Sequence, residues 1–88
     1  MNTEHIREKL NALSNLIASE ALQIFQHEML IEAAAVSTGD KQVDTQMRTQ
    51  AQNSKSVVLA SQRRLAVYTA RQAELQKELD ASEPEKSK

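Results

Sequence analysis

Apolar residues recur along this chain at three- and four-residue intervals, the spacing of helices with one face turned inward. Placed at 100° steps, Ile6, Leu10, Leu13, Ile17, Ala21, Ile24, Ile31 and Ala35 fall on one narrow stripe. A second stretch answers it with Val43, Met47, Ala51, Val57, Val58, Leu65, Tyr68, Leu75 and Leu79, interrupted on the same stripe by Gln50, Ser54, Ser61 and Gln72. The polar breaks read first as places where two helices approach closely and hydroxyls bond back to their own backbone, and second as register-setting positions of a coiled coil.

Punctuation between the two stretches is sparse. Gly39, inside Ser37-Thr38-Gly39-Asp40, is the only glycine, and Pro84 the only proline. Asn2 or Thr3 can cap a first helix and Glu4 suits the positive end of its dipole; Gly39 can end that helix, and Asp40 can cap a second with Asp44 in its first turn. The reading is an all-α helical hairpin of two long antiparallel helices, about 3–36 and 41–81, in a single domain spanning 1–83. Residues 84–88 are expected to form a disordered charged tail.

Helix one carries a second apolar face. Ala18, Leu22, Phe25, Met29, Ala33 and Val36 lie about 100–180° from the first stripe, and on helix two Leu59, Ala66 and Ala70 sit off the main seam. Two helices have one mutual interface, so the surplus predicts a partner surface built on Leu22, Phe25, Met29, Val36 and Leu59. It also predicts self-association into a four-helix or larger bundle.

Composition closes off most other possibilities. With 88 residues, one glycine and 2% aromatic residues there is little material for a sheet. The absence of cysteine removes disulfides and thiolate chemistry and fits a cytoplasmic setting. The first residues lack the basic start and apolar core of a secretory signal. The most apolar stretch, 29–36, is broken by Glu32 and is far shorter than the ~20 residues of a membrane span, so no membrane association is expected.

The net charge of −1 hides a split. Residues 3–36 hold five Glu against Arg7 and Lys9, whereas 41–72 hold Lys41, Arg48, Lys55, Arg63, Arg64 and Arg71 against Asp44 alone. Folding about Gly39 is expected to bring Glu28 and Glu32 near Arg48, and Glu4 and Glu8 near Arg71. Glu28 falls in the middle of the apolar stripe, about 40° from Ile6 and Ile24 on the helical wheel. A partly buried Glu28–Arg48 pair that fixes the register is therefore expected. The basic second helix also suggests nucleic-acid binding, but its charges are spread around the helix and the pI is 6.1, which disfavours that reading.

No catalytic constellation, cofactor motif or metal site emerges. His5 and His27 are far apart on one helix, and His5-x-x-Glu8 has i,i+3 spacing without matching ligands elsewhere. The chain reads as a non-enzymatic interaction module, an adaptor, co-chaperone or inhibitor working against a helical protein partner. In gross layout, with Ser37-Thr38-Gly39-Asp40-Lys41-Gln42 as polar turn and Gln-rich start of the second helix, it is similar to the small helical-hairpin co-chaperones of bacterial type III secretion needles. That resemblance implies only packing against another helical protein. A small phage- or plasmid-encoded regulator that binds nucleic acid through helix two is the remaining alternative.

Overall fold

The computed structural model describes residues 3–82, which form two helices, α1 (Thr3–Ala33) and α2 (Lys41–Ser82). Neither helix contains a glycine or proline, so nothing in their interiors opposes the helical backbone. The 42 residues of α2 span about 63 Å at 1.5 Å per residue, and this sets the 65 Å long axis of a rod 17 Å across. The helices pack against each other as an antiparallel hairpin, with no strand among the described residues. No described helix is long and apolar enough to cross a membrane. The expected cap at Asn2 and the charged tail at 84–88 lie outside the described residues.

α1 stops three residues short of the boundary expected from sequence. The Ala34 amide still donates to the Leu30 carbonyl (3.1 Å), but Ala35 and Val36 donate to the carbonyls only three residues back, Glu32 and Ala33 (both 3.1 Å). The chain tightens and leaves the helix there. The cause lies across the turn, at Asp44. Its carboxylate accepts the Thr38 amide (2.8 Å), the Thr38 hydroxyl (2.7 Å) and the Ser37 hydroxyl (2.8 Å), so the chain must fold back over the start of α2. Gly39 takes a φ of +88°, and Asp40 caps α2 by accepting the amides of Gln42 (2.9 Å) and Val43 (3.3 Å).

Residues removed from solvent form a regular pattern. On α1 they include Thr3, Ile6, Leu10, Leu13, Ile17, Glu20, Ile24, His27 and Ile31, with Ala34 just past its end; on α2 they include Asp44, Met47, Ala51, Ser54, Val58, Ser61, Leu65, Tyr68, Gln72, Leu75, Leu79 and Ser82, and half-buried Gln23, Val57 and Ala60 flank these rows. Both sets step by three and four alternately, the 3.5-residue period of a coiled-coil seam. Ala21, Ala35, Val43 and Gln50, placed on the seam by a straight-helix wheel, are exposed. A straight helix drifts about 20° per heptad from a 3.5 repeat, so over about three to four heptads the wheel shifts attention from His27 and Ala34 to their neighbours.

The best-packed part of the seam lies at the open end, away from the turn. Ile6, Leu75 and Leu79 form a buried cluster, with Leu10 and Leu13 against it and Leu75 only 2% exposed. Toward the turn the buried residues become small, namely Ala51, Ser54, Val58 and Ser61. Leu75→Ala is expected to cost about 2–4 kcal/mol in chemical denaturation, and Val67→Ala, on the exposed surface, less than about 0.5 kcal/mol.

The Asp44 clamp gives a pH dependence whose sign follows from its hydrogen bonds. The Thr38 amide, then the Thr38 and Ser37 hydroxyls, favour the ionised form and hold this carboxyl below its usual value. A depressed folded value means stabilisation that is present above the unfolded pKa, about 3.9 for Asp, and lost as the pH falls through the folded value. Asp44→Asn is expected to lower the thermal midpoint at pH 7. Its deficit relative to the parent should close as the pH falls below about 4, as read by circular dichroism melts across that range.

Candidate functional site

The middle of the seam is polar. The Ser54 hydroxyl lies 2.9 Å from Nδ1 of His27, and the Ser61 hydroxyl donates to Oε1 of Gln23 (3.1 Å) while accepting from Arg64 Nη2 (3.1 Å). Arg64 reaches over the seam to Glu20 with a two-pronged pair, Nε to Oε2 at 3.0 Å and Nη2 to Oε1 at 3.1 Å. The Arg64 guanidinium holds the Glu20 carboxyl below its ordinary range, and Glu20 in turn raises Arg64. Nearer the open end, Gln72 Nε2 meets the Ser14 hydroxyl at 3.4 Å.

These bonds correct the first reading of the seam's polar breaks. Ser54 and Ser61 are almost fully buried, yet their hydroxyls bond across to α1 side chains, not back to the backbone of their own helix. Bonding to a carbonyl four residues back occurs instead at exposed Thr45 and Thr49. Small side chains let the helices approach, and the cross-seam bonds then tie particular residues of α1 to particular residues of α2.

The expected Glu28–Arg48 pair does not form. Glu28 is exposed, no ion pair joins it to Arg48 among the described residues, and the cross-hairpin pair is Glu20–Arg64 instead. The reason is again the 3.5-residue period, which turns Glu28 out of the seam and keeps Glu20 in it. Arg48 lies one turn from Asp44 and contributes weakly to holding that carboxyl ionised. Arg71, expected to meet Glu4 and Glu8, contacts Glu74 (3.3 Å) and Glu78 (3.9 Å) on its own helix. His5 and Glu8 sit 3.9 Å apart on the surface, and among the described residues no group of three ligating side chains gathers around a point that could hold a metal ion.

The outer face of α1 presents the apolar residues singled out from the sequence. Leu22 is 56% exposed, Phe25 58% and Met29 41%, and with Ala18 they repeat at intervals of four, three and four residues on the side away from the seam. Val36 is also exposed but lies in the turn, past the end of α1, so the helical stripe ends at Ala33. Leu59 on α2 lies between Ser54 and Ser61, which bond His27 and Gln23, so it stands level with Phe25. From Leu10 to Gln26 the only charged side chain of α1 is Glu20, which is turned to the seam and paired with Arg64. The exposed surface of that stretch therefore carries no charge.

Double-mutant cycles separate the pair that forms from the one that does not. Glu20→Gln and Arg64→Gln are expected to show favourable coupling in denaturation, weakening as salt is added, whereas Glu28→Gln and Arg48→Gln should be additive. The chain matches no family model, no curated protein and no solved structure, so the arrangement of its own residues carries the functional reading.

Proposed function

We propose that this hairpin is a non-enzymatic interaction module that offers the outer face of α1 to another helix. One observation carries the reading: around Phe25 polar residues share the seam with Ile24 and Val58 while large apolar side chains are left outside. The seam there holds Glu20, Gln23, His27, Ser54 and Ser61, while Leu22, Phe25 and Leu59, at the same level along the rod, face solvent. A fold satisfied by its own two helices gains most by placing those apolar side chains inside and the polar ones outside. Absence of charge from the exposed surface of α1 over Leu10–Gln26 supports the reading, because the centres of protein interfaces are depleted in charged residues. Spacing of three and four residues suits a helix laid alongside.

The reading assigns no chemistry to the surface. The apolar side chains bury area, and Glu28 and Glu32, at the end of the stripe nearer the turn, discourage partners of like charge. A cytoplasmic setting accords with the cysteine-free composition.

A photo-reactive amino acid placed at Phe25, with one at Val67 as control, tests this in the native host. Position 25 is expected to yield a stoichiometric protein adduct, either another chain or a second copy, and position 67 little. Adducts at 67 but not at 25, or recovery of nucleic acid at both, would overturn the reading.

A further inference from the structure

Building on that reading, we propose that the occupant of the α1 outer face is a second copy of this chain, with the two α1 helices antiparallel about a point midway between Leu22 and Phe25. The stripe is complementary to itself when reversed about that point. Leu22 of one copy then lies opposite Phe25 of the other, and Ala18, the smallest side chain of the stripe, lies opposite Met29, a long flexible one. Every position of the stripe thus meets an apolar one: Leu22 and Phe25 pack at the centre and Ala18 receives Met29 at either end.

Charge selects the same direction. Reversed pairing places Glu28 opposite Ser19 and Glu32 opposite Asn15, both uncharged. Parallel pairing sets Glu28 and Glu32 beside their own copies, a juxtaposition of like charges with no cation of α1 between Leu10 and Ala33 to relieve it. The nearest basic groups on α1, Arg7 and Lys9, lie at the far end of the helix. Antiparallel pairing is thus the arrangement in which the uncharged stretch of one copy covers the acidic end of the stripe on the other.

Size sets the strength. From Asn15 to Glu32 the contact runs about 27 Å along a single helix about 10 Å across, a footprint on the order of 270 Å² per copy. That is below the ~800 Å² per partner of a standard stable interface. The dimer therefore forms by mass action, and its population and the thermal midpoint rise together with protein concentration.

Because the chain lacks cysteine, single substitutions report the register cleanly. Ala18→Cys and Met29→Cys variants, mixed and mildly oxidised, are expected to give the mixed 18–29 disulfide in preference to 18–18 or 29–29. Sedimentation equilibrium should show a monomer–dimer equilibrium for the parent and a monomer for Phe25→Asp, with helical circular dichroism unchanged. Phe25 is exposed within the hairpin, so its replacement leaves the fold intact, and Leu22→Asp serves as a second variant with the same expected effect. A dominant 29–29 disulfide would overturn the antiparallel register. A parent chain that stays monomeric at every concentration would overturn self-pairing outright. In that case a protein adduct at position 25 in the native host leaves the docking reading standing, and loss of that adduct removes both.

Discussion

Two helices share only one interface, and this constraint governs the molecule. In a 3.5-residue repeat two positions in seven face the neighbouring helix, so most side chains remain in water whatever their chemistry. A hairpin of this kind cannot be held evenly along its length. Its buried apolar mass is concentrated at the open end, where Ile6, Leu75 and Leu79 close on one another with Leu10 and Leu13 beside them. At the other end the turn is fixed by hydrogen bonds to Asp44 and Asp40. Between these anchors the seam relies on serines small enough for close approach and on the side chains they bond across it. Without the open-end cluster the antiparallel pairing loses its main hydrophobic contribution; without the turn it loses the short connection that makes pairing intramolecular.

The polar middle is what makes the outer face informative. Scattered exposed apolar residues are ordinary, and Val67 on α2 needs no account beyond that. Leu22 and Phe25 differ because they stand level with Gln23, Ser61 and the Glu20–Arg64 pair, where the chain has put its hydrogen-bonding groups inside. Exchange of these two sets would make the hairpin more self-sufficient, since buried polar pairs at best offset their desolvation while buried leucines contribute outright. The cross-seam bonds distinguish one register from its neighbours, and the apolar stripe remains available for a partner.

Much of the fold was legible in the sequence because its signals are local. Gly39 and Asp40 marked the turn, the absence of other breakers marked the long helices, and the count of apolar faces marked one more than a hairpin can bury. Two features were not legible on a straight-helix wheel. The end of α1 depends on Asp44 reaching back to Thr38 and Ser37, a contact between residues six and seven apart whose helix formers on the near side give no warning. The register pair was misplaced because a coiled coil follows 3.5 residues per turn instead of 3.6: by Glu28 the difference has grown to about 60° and exchanges His27 for Glu28, whereas Glu20, about 40° from Ile6 and Ile24 even on a straight wheel, lay within the stripe on either period. Counting threes and fours from Ile6 to Ile31 reaches Glu20 and His27 directly. The outer stripe of Leu22, Phe25 and Met29 survives either period, since exposure tolerates a drift of tens of degrees where a seam does not.

Uneven holding along the rod bears on how a partner would act. Local opening is easiest where few apolar contacts must be broken, which here is the stretch carrying Ser54, Ser61 and His27, away from the Ile6–Leu75–Leu79 cluster. The apolar stripe of Leu22 and Phe25 covers that same stretch from the outside. A helix laid over Leu22 and Phe25 adds apolar burial at the level where the hairpin has least of its own, so binding and local folding stabilise each other through shared residues. Under the proposed docking, ligand and fold would be coupled most strongly in the middle, and the open-end cluster would keep the two helices together when the stripe is bare.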